Sequence, residues 1–595
     1  MSKTHEQQYR VLELPEIISG LLAMLIVLWE ACFAELTSGP SELQKFEEGV
    51  HLLLCGVVCF NTLAVIIHFI TKLVKRKSPG RFLWWQLATG VPATFTFIGG
   101  LNRWLPPFAF TLSIILSFIL GIYSFITLVA IYRERKQLQK QRNKSQWSPA
   151  VVFFTWMVSF VLISTLLLLT PGATYTPINF TDAFFTCASA ISITGLTCVD
   201  IAGTFTPLGK LVLLIDIQIG ALGVMTFSYF VFLMVGKQLA VRDRVAISAL
   251  LDQQGVNIIP ALIKAVIFVT FGVEIIGATL LYLLWQQNPA APQDLLWFRA
   301  LFHAVSAFCN AGISLFPNNM AESCVAHDKA IQGVMMVLTL AGTLGFSVYL
   351  EIITRLHNRL KGKRNPLRWS TNSWLLVRVT LIILIVGTVG LTLLGLLEPS
   401  EHPQSADFNL WESTWNTIGR SAGFTITDIS SYGQAYQLFL CALMFIGGNP
   451  AGTGGGVFAT VFALCVLEVL RVLRGQQDLE LHGRRIARNT VERAMATVVL
   501  STFWIAASTL VLVMLEPTIA GKANGTLRLF FLEVSAFTTT GYSICDPAEL
   551  SAFSKFFICA NMLFGRVGMF TFMLIFIKQK SPSPVRYPET RLPLT

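Results

Sequence analysis

Apolar runs of membrane length alternate along this chain with shorter apolar stretches too brief to cross a bilayer, and between about 147 and 580 the order recurs four times. Long runs at about 150–170, 258–285, 372–397 and 490–516 lead into short stretches at about 180–192, 297–309, 409–420 and 527–538. Second long runs follow at about 207–235, 331–355, 434–470 and 553–577. A hydrocarbon core of about 30 Å takes roughly 20 helical residues. The long runs therefore predict spanning helices and the short ones predict re-entrant half-spans. Four further runs, at about 16–36, 51–73, 83–101 and 107–132, precede the repeats. The expected total is twelve spans and four re-entrant hairpins.

Each short stretch ends on a glycine: SITGLT around Gly195, FCNAGIS around Gly312, RSAGFT around Gly423 and TTTGYS around Gly541. Subtracting positions gives spacings of 117, 111 and 118 residues. Non-helical backbone at membrane depth persists only where protein or water surrounds it, so the four loops belong at the centre of the fold. Glycine admits backbone angles that a side chain forbids, and four such loops facing one axis can replace the hydration shell of a cation with carbonyls. The residues assigned to that ring are Thr194 and Gly195; Asn310, Ala311 and Gly312; Ser421, Ala422 and Gly423; and Thr539, Thr540 and Gly541. The alternative for any one glycine is a tight turn or close helix contact, which four copies in register argue against. The expected fold is an all-α integral membrane protein: four tandem helix–pore-loop–helix repeats, pseudo-fourfold around one pore, plus an N-terminal four-helix extension. The boundaries read as 1–146 for the extension, then 147–248, 249–368, 369–485 (with an intramembrane loop) and 486–595 (with the tail).

Composition narrows the class without changing it. The 595 residues are 54% hydrophobic and 13% charged, which excludes a soluble domain of this size. The net charge of +11 sits in short stretches at 133–144, 237–244, 355–368, 471–493 and 578–591, while alternate loops such as EPSEHPQSAD near 398–407 are nearly bare of Lys and Arg. That is the positive-inside pattern, so the charge calls for a lipid bilayer and no nucleic acid. The eleven cysteines show no ligand spacing and read as small membrane hydrophobes. The first fifteen residues are polar, and no cleavable leader is expected.

The paired-helix unit with one glycine per re-entrant loop resembles the Trk/Ktr/HKT superfamily of potassium transporters, over about 147–580. QIGALGVMTF at 218–227 is similar to that family's first returning helix. SAFCNAGIS and RSAGFT resemble its second and third filters, and GGNPAGTGGG and GRVG two further landmarks in the family's order. The resemblance implies potassium at the filter residues, no cofactor in this chain, a homodimer, and a separately encoded cytosolic ring of nucleotide-binding regulatory subunits. Glycine rather than serine at Gly195 points within that superfamily to potassium over sodium. The implied place is the plasma membrane, multi-pass (an inner membrane if the source is bacterial).

GGNPAGTGGG spans Gly447, Gly448, Asn449, Pro450, Ala451, Gly452, Thr453, Gly454, Gly455 and Gly456. Six glycines and a proline cannot hold a regular helix, since each glycine costs about 1 kcal/mol and proline about 3. A nucleotide cradle would need a strand and a soluble helix on its flanks; here both flanks are membrane-length. The reading is a loop across the pore below the filter, and the resemblance assigns it gating. Arg566 lies eleven residues after Lys555 and twelve before Lys578, so at mid-span. An arginine there costs roughly 2.5–3.5 kcal/mol on insertion scales. It reads as a positive barrier beside the loop or as a tie to helix carbonyls. Asp216 and Glu274 are acids within spans, open to an ion role or to a polar partner. His303 and Glu533 read as braces for the filter, and Arg420 as a clamp at the base of the third loop. Together these features, with the resemblance, imply potassium uptake without covalent chemistry. A sodium- or proton-coupled symporter and a polytopic membrane enzyme are the alternatives.

Overall fold

The computed structural model describes residues 149–234, 259–360, 370–397, 406–449, 452–569 and 573. The N-terminal extension, 1–146, lies outside the described residues, as do the basic stretches 237–244 and 578–591. Four outward helices run where expected: α1 (Pro149–Leu168), α4 (Ile259–Gln287), α8 (Thr371–Leu397) and α12 (Arg488–Leu515). The short helices are α2 (Phe180–Ser192), α5 (Leu296–Phe308), α9 (Ala406–Gly419) and α13 (Gly525–Thr538). The second runs give α3 (Pro207–Met234), α6 and α7 (Lys329–Thr343, Phe346–Leu360), α10 and α11 (Gln434–Phe445, Ala459–Leu473) and α14 (Ala552–Val567).

The outward helices are apolar on every side, which fits a helix with protein on one face and lipid on the other. Along α8, Leu376, Val379, Ile383, Gly387 and Leu391 are buried at helical spacing. Ile382, Ile385, Val389, Leu393 and Leu396 stand exposed on the opposite side. Phe268 on α4 and Phe503 and Met514 on α12 are 78%, 74% and 82% exposed, exposure that only a lipid-facing surface accommodates in side chains of that size. Three described helices are long and apolar enough to cross a membrane: Val266–Gln287, Thr371–Leu397 and Arg488–Leu515.

The short helices pack in cyclic order. Helix α5 lies against α3, α9 against α6, α13 against α10, and α2 against α14, so each rests on the second helix of the preceding repeat and the last repeat closes on the first. Three of the short helices, α2, α5 and α13, also pack against the second helix of their own repeat, where glycines admit the contact. A Cβ on Gly220 of α3 would overlap the Ile191 carbonyl oxygen, one on Gly342 of α6 that of Phe308, and one on Gly565 of α14 that of Phe537. All three acceptors occupy the position four residues before a loop glycine.

The second runs differ from the uninterrupted helices the hydropathy pattern predicts. All four are interrupted: α3 at Gly223 (φ 66°), α6/α7 at Leu344–Gly345, α10/α11 between Ile446 and Phe458, and α14 at Gly568 (φ 85°). Only the third break was visible in composition. The others rest on single glycines, whose helix-breaking use depends on the neighbours they meet. Beyond α11 the chain makes a two-residue hairpin, β1 (Glu480–Leu481) with β2 (Arg484–Arg485), whose turn residues His482 and Gly483 take φ 52° and 70°.

Candidate functional site

The loops after α2, α5 and α13 share one local geometry. The residue two before each glycine is left-handed: Ile193 (φ 60°), Asn310 (φ 59°) and Thr539 (φ 52°). The next amide closes a wide turn onto the helix: Thr194 N–H to Ser189 O at 2.8 Å, Ala311 N–H to Ser306 O at 2.8 Å, Thr540 N–H to Ser535 O at 2.9 Å. This is the left-handed helix stop that satisfies orphan carbonyls, here made by residues other than glycine. A β-branched residue such as Ile193 in that region carries strain. Each loop then turns again at its glycine, with φ of 87°, 65°, 75° and 95° at Gly195, Gly312, Gly423 and Gly541. The third loop departs from the others: Ala422 and Gly423 both donate to Gly419 O, at 2.8 and 2.7 Å. There Arg420 lies at the loop's base and its guanidinium donates to the carbonyls of Leu443, Ile446 and Gly447, at the break after α10.

The four glycines interlock in the same cyclic order as the helices. A Cβ on Gly195 would overlap the Ala311 carbonyl oxygen, on Gly312 that of Ala422, on Gly423 that of Thr540, and on Gly541 that of Thr194. The residue preceding each glycine thus presents its carbonyl to the glycine of the neighbouring loop. Nothing larger than hydrogen fits at any of the four, and the structure brings all the sequence-assigned loop residues to one place. The short helices point their C-terminal, partially negative ends at it.

Outside the ring lie two cavities of about 280 and 380 Å³ sharing Gly195, Thr197, Asn319 and Asp546. Asp200 lines the first and Asp428 the second. Each of these aspartates stands five residues after its glycine and accepts from backbone amides of the short turn that follows. The signal was in the sequence, as GLTCVD, GFTITD and GYSICD. Sequence reasoning missed it, because the second repeat breaks the pattern with GISLFP.

Below the ring, the glycine-rich segment bridges α10 and α11. Gly447 N–H donates to Val457 O at 2.8 Å and Gly448 N–H to Gly455 O at 3.3 Å, folding the segment back on itself. Pro450 and Ala451 lie outside the described residues. Asn449 N–H and Thr453 N–H reach the carbonyls of Thr343 and Gly342 at the end of α6 (3.3 and 3.0 Å). Gly455 sits so close to Thr539 that a Cβ would overlap its hydroxyl. Arg566 donates to Thr453 O at 2.6 Å and to Gly220 O at 2.8 Å. Arg566 is thus tied to carbonyls of the loop and of the last turn before the α3 break, where helix carbonyls lack intrahelical donors.

The remaining polar residues are partnered away from the ring. Asp216 accepts from Ser164 at 2.5 Å, and Glu274 from Gln218 at 3.3 Å, with the Cys309 thiol 3.6 Å away. His303 Nδ1 pairs with Arg299 O at 2.8 Å while its Nε2 accepts from Leu315 N–H at 3.2 Å, which makes Nδ1 the protonated nitrogen. Glu533 accepts from Ser508 and Asn561 at 2.7 and 3.0 Å. Both therefore brace the short helices. Among the described residues no group of three His, Cys, Asp or Glu is placed to hold a metal, and the eight described cysteines are unbridged.

Apolar helices of membrane-spanning length around four interlocked glycine loops define a polytopic membrane protein. The family model described as cation transport protein (TrkH) matches residues 115–587, and the chain belongs to that family, one of transporters and not enzymes. The Ktr system potassium uptake protein B of Bacillus subtilis is 30% identical over 447 residues, covering 75% of this chain and 96% of that protein. The potassium/sodium uptake protein NtpJ of Enterococcus hirae is 27% identical, covering 77% and 99%. The crystal structure of the potassium transporter TrkH from Vibrio parahaemolyticus matches with a TM-score of 0.59 at 17% identity, over 88% of this chain and 97% of that one. The chain is thus a multi-pass protein of the plasma membrane.

Proposed function

We propose that this chain is the membrane subunit of a potassium uptake system, conducting the dehydrated ion through a pseudo-fourfold filter formed by the four glycine loops. The observation that carries the reading is the closed cycle in which each loop's carbonyl abuts the next loop's glycine. Such a ring supplies oxygens in place of water at an energetic balance that lets an ion enter and leave. The names of the two relatives support the substrate, since both include potassium; one adds sodium. Glycine at all four positions favours potassium selectivity.

The glycine-rich segment acts as the gate. It lies under the ring, touches Thr539 through Gly455, and is pinned by Arg566, whose charge opposes a cation at the same level. A segment with six glycines has little preference for one conformation, so modest force on the cytoplasmic side moves it. The expected source of that force is a cytosolic nucleotide-binding ring docking on the basic stretches 355–368 and 471–493, with two copies of this chain per assembly.

The test of the filter is selectivity. Gly195→Ser places a side chain against the Ala311 carbonyl, at a φ that L residues rarely adopt. Liposome flux with potassium and sodium varied separately should show sodium admitted or potassium flux lost. Unaltered selectivity in Gly→Ser variants at all four positions sinks the assignment.

A further inference from the structure

Thr453 is the point where the glycine-rich segment meets the second glycine loop. Its hydroxyl accepts from Asn310 Nδ2 at 2.6 Å and donates to Phe308 O, the last carbonyl of α5, at 3.1 Å. Its amide donates to Gly342 O at 3.0 Å, and its carbonyl takes Arg566 at 2.6 Å. The other end of the Asn310 amide, Oδ1, accepts from Ser421 Oγ in the third loop at 3.3 Å. Gly342 makes room for this node: a Cβ there would overlap Phe308 O and lie 2.7 Å from Thr453 Oγ1 and 2.8 Å from Asn310 Nδ2.

Asn310 stands two residues before Gly312 and holds a left-handed backbone, next to Ala311, whose carbonyl faces Gly195. Both Asn310 and Thr453 are fully buried, so each bond lost leaves a polar atom without water. The two ends of the amide have different consequences. One fixes the loop below; the other fixes the loop beside it. Any cation that orders the carbonyls around Ala311 also orders the backbone from which the Asn310 side chain reaches Thr453.

We infer that Asn310 is a positioning residue that couples filter occupancy to the glycine-rich segment, making ion binding and the docking of that segment one linked equilibrium. Linkage is reciprocal: potassium in the ring favours the docked segment, and undocking loosens the grip on potassium. The inference deepens the gate reading and rests on it for its physiological meaning, while the coupling itself is a property of the Asn310–Thr453 contact.

The experiment is hydrogen exchange of the full-length protein in potassium chloride and in choline chloride at equal ionic strength, read on peptides covering 452–458. Wild-type exchange should be roughly fivefold slower in potassium, the shift one net buried hydrogen bond produces. Asn310→Gly keeps the left-handed backbone and removes the amide; Thr453→Val keeps the shape and removes the hydroxyl. In each the potassium effect should vanish. Should one variant fail to give a monodisperse protein, the other carries the comparison. Wild-type exchange that ignores the cation, or variants that keep the full difference, overturn the coupling. Flux of a protein shortened by several glycines within 447–456 separates the two readings. A rise in flux beside cation-independent wild-type exchange removes the coupling and keeps the gate. Unchanged flux, with a potassium effect that the variants abolish, removes the gate and keeps the coupling.

Discussion

Replacing Arg566 with alanine is the most direct test of the proposed gate, the glycine-rich segment that Arg566 holds through Thr453. The side chain makes two charge-assisted bonds, to Thr453 O at 2.6 Å and Gly220 O at 2.8 Å, and only the first involves a group that moves when the segment undocks. Hydrogen bonds to charged groups contribute about 1.5–3 kcal/mol each. Losing the Thr453 bond therefore shifts the docked-to-undocked ratio by roughly 10- to 150-fold. Flux rises by less than this once the undocked fraction approaches unity. Removing the charge also lowers the barrier to a cation at a depth where screening is weak. Arg566→Lys separates the two contributions: it keeps the charge but lacks the planar fork that serves both carbonyls. If pinning dominates, Lys behaves like Ala; if electrostatic repulsion dominates, Lys stays near wild type. The assay is potassium flux into liposomes, with size-exclusion profiles of the same preparations. A monodisperse Arg566→Ala protein with wild-type flux refutes the reasoning. Loss of folded protein in both variants assigns Arg566 to holding α3 against the segment.

Two further outcomes follow from the same geometry. Asp200, Asp428 and Asp546 border the outer cavities and cap their turns through side-chain oxygens, a role asparagine retains. The triple Asp→Asn variant should lower flux at low potassium by up to about tenfold, and the loss should shrink as ionic strength rises; equal loss at all salt concentrations would assign these residues to the fold alone. Gly565→Ala inserts a methyl against the Phe537 carbonyl, and overpacking of this kind costs typically about 1–3 kcal/mol, so its thermal transition should fall while Gly333→Ala, which meets nothing within 4 Å, leaves stability unchanged.

The order of long and short apolar helices was legible because bilayer thickness and hydrogen-bond satisfaction leave few options for a chain this apolar. Run length separates spanning from re-entrant helices, and the observed short helices Leu296–Phe308 and Gly525–Thr538 begin and end within about two residues of the stretches read from hydropathy. Loop glycines were legible for the same reason: a helix that stops at membrane depth must turn through angles open to glycine. The third interrupted helix announced itself by composition. Its counterparts at Gly223, Gly345 and Gly568 did not, because one glycine in an apolar run is equally a helix–helix contact. The aspartates five residues beyond three of the glycines were present in the sequence and needed only the repeats aligned on those glycines.

Tertiary structure alone decided who meets whom. Hydropathy depends on each residue and its near neighbours, so it places Arg566 at mid-span but leaves its partner undetermined. Thr453 O, 113 residues away in the third repeat, and Gly220 O, 346 away in the first, become the acceptors only when the fourth repeat packs against both. The same packing sets Gly541 against the Thr194 carbonyl. Asn310 and Thr453, 143 residues apart, meet because α6 carries glycine at the one place where any Cβ would fill the gap. Local chemistry determined that four loops exist and what they offer; close packing around a common centre determined which carbonyl, amide and guanidinium each of them faces.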